Sequence, residues 1–521
     1  MKIRDFLKLN DFSFLRTSDT SESELRSWQK SLPHLQKALE GLDEFEIFLE
    51  YPLPNSPERI DAIIVGESVV FVELKQWSRE NVEIIDKKQV LVSGKKRLNP
   101  YLQVKGYKEH FLLHTDFNRE IIPVVFLHNF EGEMYGDNIF YKNEHNKLNA
   151  FLKSRLKSLS DFTYNIKPTK KLIEVITNLR NSFKLSTLQQ EVAYSAVDAV
   201  KNKKKLLIKG MPGSGKSVVA LNLHFFFLEK GIISFYITKN ATPRIVYEYA
   251  SKINAYRLNM LSPRNFIKSD IAIVDEAHRL TQDQIQKIIN NSNSSIFFYD
   301  EKQVVSCEDI GERIYDYVDE VIELNEQFRC NSSYEYVKWI DSMLYKSGSK
   351  GDFSYDFRMF DDISDFVKAC KAFDAKISAG YCWEWKSRND KNAYDIEIGD
   401  FKWQWNINDE DDWKKQFLWS VDESQKDKIG CIHTAQGMEF DYAGVIIGED
   451  LRYENGEIIT DVTKRASDDF TIKGRCDYDR IIKNTYRVLL TRGMKGCFVY
   501  CVDEGLREYL KKKRRNNNGE S

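Results

Sequence analysis

Short apolar runs recur along this chain, and the segments that separate them change in character from one end to the other. We expect strands at the apolar runs 62–65, 69–72, 206–208 and 271–274. Before residue 170 such runs are separated by turn signals, whereas from about residue 175 they alternate with helical segments, as in a parallel α/β sheet. The pattern predicts an α/β protein with segments at 1–170, 171–325 and 326–510 and a basic polar tail at 511–521.

The composition is that of a folded protein without a marked excess of charge. Hydrophobic residues make up 42% of the 521 residues and the net charge is −2, so any nucleic-acid binding depends on local basic patches. No apolar run approaches the roughly 18 residues that cross a bilayer, and we expect a cytoplasmic protein without membrane association. The eight cysteines lie between Cys307 and Cys501 without a C-x-x-C pair, which predicts reduced thiols and no zinc site.

The sequence GMPGSGKS fits the phosphate-binding pattern G-x-x-x-x-G-K-[ST] in full. It follows an apolar strand and precedes a helical segment, so backbone N–H groups and the positive end of the helix would cradle phosphates. In this pattern the lysine adds a point charge and the final hydroxyl offers an oxygen to Mg²⁺. The residues expected to bind the nucleotide here are Gly210, Gly213, Ser214, Gly215, Lys216 and Ser217.

A second acidic motif completes a nucleotide hydrolysis site. The run at 271–274 ends in Asp275 and Glu276, about 60 residues after Lys216. At the end of its strand, Asp275 would lie beside the Mg²⁺ held by Ser217, and Glu276 would orient the attacking water. The two motifs together predict that the chain binds and hydrolyses ATP with Mg²⁺.

Further stretches follow in a fixed order along the chain. They read LSTLQQEVAYSAV, ITKNA, FFYDEKQ, LNEQFRC, HTAQGMEFD and YRVLLTRGMKG. Their order and content resemble superfamily 1 helicase-type ATPases, which bind ATP between two RecA-like lobes. The resemblance implies a first lobe at 171–325 and a second lobe at 326–510. The residues to which it gives a role at the nucleotide are Gln189 (adenine), Gln303 (γ-phosphate), Arg329 and Arg492 (arginine fingers), Gly437 and Glu439.

Longer matches indicate a particular family. The stretches GYCWEWKS, WQWN, GCIHTAQGMEFDYAGVIIGEDL and NTYRVLLTRGMKGC resemble a bacterial family that shares its helicase-like module with the Schlafen proteins. Their tryptophans either stack bases or pack the core of the second lobe, and we favour the core. About 30 residues separate Lys239 from Ile271, which leaves no room for the large accessory domain often inserted there. Translocation or nucleic-acid-gated ATP hydrolysis therefore fits as well as duplex unwinding.

The N-terminal segment carries a compact set of acids around an expected hairpin. Asp61 precedes the run at 62–65, and the returning run at 69–72 leads to Glu73 and Lys75. A hairpin would bring Asp61 and Glu73 to one end, and Glu73 and Lys75 share a face because side chains alternate along a strand. Two carboxylates bind Mg²⁺ or Mn²⁺, and the lysine would position or activate a water.

This pattern resembles the PD-(D/E)-x-K nuclease fold, close to the nuclease-related domain type. Downstream, Gln103 and Tyr107 lie one helical turn apart and resemble the Q-x-x-x-Y pair of RecB-type nucleases, which lies against the metal site and the DNA backbone. Glu50 is a candidate for a further acid. The residues that the resemblance marks as catalytic are Asp61, Glu73, Lys75, Gln103 and Tyr107, with the two acids as metal ligands.

The sequence therefore predicts an ATP-dependent enzyme that combines a metal-dependent nuclease with a helicase-type ATPase. DNA is the expected substrate, and the resemblance implies defence against foreign DNA or repair as the setting. Endonuclease and exonuclease action both stay open, as does the presence of a partner protein or a homo-oligomer. The alternatives are a helicase or translocase with an inactive nuclease-like docking domain, and a nucleotide-gated switch that controls a partner protein.

Overall fold

The computed structural model describes residues 1–16, 20–167, 185–251, 259–328, 334–346, 353–405, 412–425 and 427–515. The chain divides into two compact units, one formed by Met1–Thr169 with Lys184–Glu191 and the other by Lys170–Phe183 with Val192–Ser521. Each unit has its own sheets and its own apolar core. None of the helices in these described ranges is long and apolar enough to cross a membrane.

The first unit is built on a mixed five-stranded sheet. Its elements in chain order are α1 (Ile3–Phe6), α2 (Glu22–Ala38), β1 (Glu46–Pro52), β2 (Arg59–Val65), β3 (Val69–Leu74), β4 (Val82–Ile84), β5 (Gln89–Val92), β6 (Lys95–Leu98), α3 (Pro100–His114), β7 (Ile121–Leu127), β8 (Ile139–Tyr141) and α4 (His145–Leu156). The sheet has the order β1-β2-β3-β7-β8, in which the first three strands pair antiparallel and the last three parallel. Strands β4, β5 and β6 form a separate antiparallel sheet.

Side-chain alternation gives the main sheet two apolar faces. One face packs against α1, α2 and α4, and its core includes Val72 and Leu148. The other face packs against α3 and the small sheet, and its core includes Phe71 and Val125. The expected hairpin is formed by β2 and β3. Because Glu73 lies two residues after Phe71, it belongs to the face covered by α3.

A parallel six-stranded sheet forms the first lobe of the second unit. The elements in this part of the chain are α5 (Thr187–Lys201), β9 (Lys205–Gly210), α6 (Lys216–Glu229), β10 (Ser234–Ile237), α7 (Ala241–Ser251), β11 (Met260–Leu261), β12 (Ser269–Val274), α8 (Gln282–Asn290), β13 (Ser292–Tyr299) and β14 (Glu320–Leu324). The strand order is β11-β10-β12-β13-β9-β14, with every pair parallel. The carboxyl ends of β9, β12 and β13 therefore meet at one edge of the sheet.

A second parallel sheet forms the other lobe of this unit. Its elements are α9 (Tyr334–Tyr345), β15 (Asp356–Phe360), α10 (Ile363–Ala372), β16 (Lys376–Ala379), β17 (Ile396–Ile398), β18 (Phe401–Trp403), α11 (Ile432–Ala435), β19 (Phe440–Ile447), β20 (Leu451–Glu454), β21 (Glu457–Thr460), α12 (Tyr478–Leu490), β22 (Gly493–Cys501) and α13 (Glu504–Arg515). The sheet order is β15-β22-β19-β16, and β17–β18 and β20–β21 are antiparallel pairs. The predicted α/β class, with a mixed N-terminal unit before two parallel sheets, is confirmed.

The tryptophans of the quoted motifs pack the core of the second lobe. Trp405 is buried, and Trp383, Trp385 and Trp403 pack against the same apolar cluster. This agrees with the favoured interpretation. At the other end of the lobe, α13 continues to Arg515, so the first residues of the expected polar tail are helical.

The expectation that all cysteines are reduced is wrong for one pair. Cys307, in the first lobe, forms a disulfide with Cys476, in the second, and their Cα atoms are 5.4 Å apart. The two residues are 169 positions apart in sequence, so no local spacing signals the pair. Their approach depends on how the two lobes pack, and Cys307 N also donates to the carbonyl of Thr471 at 2.8 Å.

Candidate functional site

The phosphate-binding loop joins β9 to α6 and closes around its own lysine. Gly213 and Gly215 have φ angles of +80° and +81°, which glycine adopts readily because it has no Cβ. Lys216 is the first residue of α6, and its Nζ donates to the carbonyl of Gly210 at 2.8 Å. A Cβ at Gly210 would lie 2.6 Å from Ser214 Oγ, so the strand end has room only for glycine. The loop presents a helix N-terminus and a buried ammonium group at one point.

Ser217 and Asp275 meet at the carboxyl edge of this sheet. Ser217 Oγ donates to Asp275 Oδ2 at 2.7 Å, and Tyr236 OH donates to the same oxygen at 2.6 Å. The strand order brings them together, because only β13 separates β12 from β9. A hydroxyl and a carboxylate suit Mg²⁺, which keeps several waters and binds few protein oxygens beside substrate phosphates. These two side chains fit a Mg²⁺–nucleotide complex.

Glu276 is a buried carboxyl next to this pair. Glu276 is 8% exposed, and its φ angle is +51°. Its Oε2 atom has no hydrogen-bond partner in the described part of the chain. Burial raises the pKa of Glu276 to about 7, and the charge of Asp275 adds to the rise, whereas Arg279 and Arg492 oppose it. A carboxyl that titrates near neutrality is suited to hold and polarise a water.

Gln303 reaches the loop lysine through an aspartate that sequence reasoning missed. Asp300 accepts a hydrogen bond from Gln303 Nε2 at 2.9 Å and lies 3.8 Å from Lys216 Nζ. Burial alone would raise the pKa of Asp300, but Lys216 and Arg487 hold it below its ordinary value. The signal that could have found Asp300 is its place directly after an apolar strand, in the quoted stretch FFYDEKQ.

The second lobe brings Arg492 and Gly437 to the same site. Arg492 is buried, and its charge opposes the rise in the pKa of Glu276. Gly437 has a φ of +81°, and a Cβ there would lie 3.5 Å from Glu276 Oε1. Glu439 is half-buried directly before β19. The two lobes therefore meet at Glu276.

Two further residues, Gln189 and Arg329, have assigned roles at the nucleotide. Gln189 lies in the segment that groups with the first unit, and Ser186 N donates to its Oε1 at 3.1 Å. Gln189 N donates in turn to Ser186 Oγ at 3.2 Å, a reciprocal pair that caps α5. Arg329 lies outside the described residues. Their roles at the nucleotide stay predictions.

The lobes also bind each other beside an exposed aromatic ring. Asn240 Nδ2 donates to the carbonyls of His433 at 3.2 Å and Gln436 at 3.1 Å. The ring of His433 stacks on Phe470 with 5.1 Å between centroids, and Phe470 is 54% exposed. An open aromatic face next to the junction of two lobes suits base stacking.

The hairpin of the first unit brings its acids together around Lys75. Asp61 Oδ2 accepts a hydrogen bond from Leu74 N at 2.6 Å, and Lys75 Nζ lies 2.6 Å from Glu73 Oε1. Burial raises the pKa of Glu73, and the carboxylate of Asp61 adds to the rise. Burial alone would lower the pKa of Lys75, but the two carboxylates raise it. The lysine is therefore protonated at neutral pH.

Helix α3 adds Gln103 and Tyr107 to this centre. Gln103 Nε2 donates to Tyr107 OH at 2.6 Å, and Tyr107 is buried. Burial raises the pKa of Tyr107, and the charges of Glu73 and Glu58 add to the rise, which places the phenol beside the acids. The structure thus groups the five residues that the sequence marked.

Two further acids flank the centre. Glu50 has a φ of +48° and accepts from Trp28 Nε1 at 2.6 Å; burial and then Asp61 raise its pKa to about 7. Glu58 accepts from Thr187 N at 3.0 Å, and burial raises its pKa. Glu50 is a candidate from the sequence, whereas sequence reasoning missed Glu58, which lies directly before β2 and close to Asp61 in the chain.

The acid centre fits a divalent metal held by two carboxylates. Glu73 Oε2 is buried and has no hydrogen-bond partner among the residues the structure describes. Those residues contain no group of three or more His, Cys, Asp or Glu side chains that would enclose a metal. Mg²⁺ commonly binds one or two carboxylates and takes its other ligands from water and substrate phosphates. Asp61 and Glu73 match that requirement.

Two known families match the two parts of the chain that carry these centres. Residues 28–128 match the nuclease-related domain, NERD. Residues 203–503, more than half of the chain, match the family described as Schlafen group 3, DNA/RNA helicase domain. Both resemblances drawn from the sequence are confirmed.

Individual proteins resemble this chain at low sequence identity. The uncharacterized protein YPL245W of Saccharomyces cerevisiae is 26% identical over 383 residues, which cover 58% of this chain and 83% of that protein. The structure of the Pif1 helicase from Candida albicans is 11% identical with a TM-score of 0.31, covering 63% of this chain and 99% of that chain. The structure of the PRRSV helicase is 11% identical with a TM-score of 0.30 over 60% of this chain. This chain spans about half, 54%, of that viral helicase.

Proposed function

The chain belongs to the Schlafen group 3 DNA/RNA helicase domain family, and from this premise we propose that it is an ATP-driven nucleic-acid motor joined to a metal-dependent nuclease. We assign the nuclease to residues 1–170 and the two lobes of the motor to 171–325 and 326–510. DNA is the proposed substrate, and defence against foreign DNA or repair is the proposed setting. The helicase-like domain and the nuclease-related domain in one chain support this assignment.

The observation that carries the ATPase is the meeting of Ser217, Asp275 and Glu276 beside Lys216. Ser217 and Asp275 would hold Mg²⁺, which neutralises phosphate charge when bound. Glu276, whose pKa is near neutrality, orients and polarises the attacking water. Arg492 reaches this site from the second lobe, so the positive charge around the γ-phosphate is complete only when the lobes are together.

At the nuclease centre, Asp61 and Glu73 would hold Mg²⁺ or Mn²⁺, which acts as a Lewis acid on the phosphodiester. Lys75 would act through its charge, on the phosphate or on the oriented water. We assign the hydrogen-bonded pair Gln103 and Tyr107 to binding of the nucleic-acid backbone next to these acids.

The ATPase is tested by turnover of the Lys216→Ala variant with and without DNA or RNA. We expect hydrolysis to be abolished, because the phosphates lose their buried cation, while Lys230→Ala, an exposed lysine at the end of the same helix, stays active. Wild-type turnover in Lys216→Ala would contradict the assignment. Turnover that nucleic acid does not stimulate would favour a nucleotide-gated switch over a motor.

The nuclease is tested with labelled single- and double-stranded DNA and RNA in Mg²⁺ or Mn²⁺, with and without ATP. We expect cleavage by the wild-type protein, loss of cleavage in Lys75→Ala and Asp61→Asn, and cleavage retained in Lys95→Ala, an exposed lysine of the same unit. Both acid-centre variants should keep their ATPase activity. Cleavage that persists in both would refute the site. The absence of cleavage under every condition, with stimulated ATP turnover, would favour a translocase with a docking domain.

A further inference from the structure

A chain of charged side chains, most of them buried, runs from the phosphate-binding loop into the second lobe through Arg487, which has no assigned role. Asp300 of the first lobe lies 3.8 Å from Lys216 Nζ and 3.9 Å from Arg487 Nη1. Arg487, on α12, binds Asp341 of α9 through Nε at 2.5 Å and Nη2 at 3.3 Å. Lys302 of the first lobe ends the chain, with its Nζ 2.7 Å from Asp341 Oδ2.

The Nη1 nitrogen of Arg487 takes no part in these hydrogen bonds. Arg487 is 1% exposed, so water does not reach it, and its Nη1 has no hydrogen-bond partner among the described residues. Buried N–H groups are paired in the great majority of cases, so this donor requires an explanation. The distance from Nη1 to Asp300 is about 1 Å longer than a hydrogen bond.

Asp300 is shared between the two lobes. One cation from each lobe stands near its Oδ2 at almost the same distance, and neither is within hydrogen-bond range. The lysine of a phosphate-binding loop engages the β- and γ-phosphates of a nucleotide, which weakens the hold of Lys216 on Asp300. Because a buried carboxylate needs a cation, Asp300 then depends on Arg487.

We propose that Arg487 is a positioning residue that detects the bound nucleotide through Asp300. When Lys216 engages the phosphates, Arg487 approaches Asp300 by about 1 Å, forms the missing hydrogen bond and draws α12 toward the loop. Arg492 follows the end of α12, so this approach sets the position of that arginine at the nucleotide. The inference rests on the proposed ATPase and explains how its closed state is recognised.

The variant that tests this inference is Arg487→Lys, because lysine keeps the charge beside Asp341 but lacks the Nη1 donor. We expect kcat for ATP hydrolysis to fall about 100-fold with a much smaller change in KM. The reason is that the variant impairs the approach of the two lobes and not the binding of ATP. Asp300→Asn should have a similar effect, and the double variant should be no slower than the slower single variant. Melting temperatures close to that of the wild-type protein establish that each variant is folded.

Arg480→Lys is the matched control. Arg480 is on the same helix and also reaches the first lobe, donating to the carbonyl of Glu301 at 3.2 Å, but it takes no part in the chain of charges. We expect its kcat to stay within about threefold of wild type. Additive losses in the double variant, or an Arg487→Lys enzyme as fast as the Arg480→Lys control, would overturn the inference and leave the ATPase standing. A wild-type protein without ATP turnover would refute the proposed function and the inference together.

Discussion

Three stacked histidines in the first unit predict that their own contribution to its stability falls between pH 7 and pH 5. His128 is buried at the end of β7, with its ring centroid 4.5 Å from that of His34. His34 Nδ1 lies 3.1 Å from His145 Nε2. Burial, and then the charges of His34 and His145, lower the pKa of His128 to about 4. Burial also lowers the pKa of the other two, with Lys37 acting in the same direction on both.

The sign and size of the effect follow from proton linkage. Between pH 6.5 and pH 4 the folded state binds fewer protons at His128 than the unfolded state. The contribution of His128 to stability is therefore complete above pH 6.5 and is lost as the pH falls toward 4. At pH 5 the loss from this residue is about 2 kcal/mol, at about 1.4 kcal/mol for each pH unit. His34 and His145 act with the same sign and add to it.

Hydrogen exchange measured by mass spectrometry reports the opening free energy of individual segments. A local measurement is needed because the histidines affect only the first of the two units. We compare peptides from β7 and α2 at pH 7 and pH 5, in the wild-type protein and in His128→Gln. Glutamine keeps a hydrogen-bonding group for Ser31, the partner of His128 Nε2 at 2.9 Å, but does not titrate. Between pH 7 and pH 5 the opening free energy of the wild-type protein should fall by about 2 kcal/mol relative to that of His128→Gln, since the other titrating groups of the unit act in both proteins. Equal changes in the two proteins would refute the reasoning, and peptides from β22 serve as the internal control.

Three further predictions concern other parts of the molecule. Glu73→Gln should abolish the rise in melting temperature that Mn²⁺ gives the wild-type protein, because one of two carboxylate ligands is gone; an unchanged rise would contradict the metal centre. Gly430→Ala should lower the free energy of unfolding by about 1–3 kcal/mol, since a Cβ would lie 2.4 Å from the Trp419 ring; denaturant titration measures this, and a variant of wild-type stability would refute it. Reduction of the Cys307–Cys476 disulfide, which spans 169 residues, should lower the free energy of unfolding by roughly 2–5 kcal/mol. Thermal melting with and without reductant measures this, with Cys307→Ser as the control. Equal melting temperatures with and without reductant would contradict the prediction.

Much of both sites could be predicted because their residues are close in sequence. Gly213 and Gly215 supply the positive φ angles of a loop whose pattern is contiguous. Glu73 and Lys75 share a face because strand side chains alternate, and Gln103 and Tyr107 meet because a helix turns once in about four residues. These relations depend on local backbone geometry, which the amino-acid order by itself determines.

Only the tertiary structure decided which of these local pieces meet. Asp300 lies beside Lys216 because β13 is the neighbour of β9 in the sheet, an order that the sequence does not state. Arg487 reaches Asp300, and Cys307 reaches Cys476, because the two lobes pack against each other. Such contacts join segments far apart in the chain, so they depend on the summed packing of whole sheets and helices and leave no pattern in any short stretch of sequence.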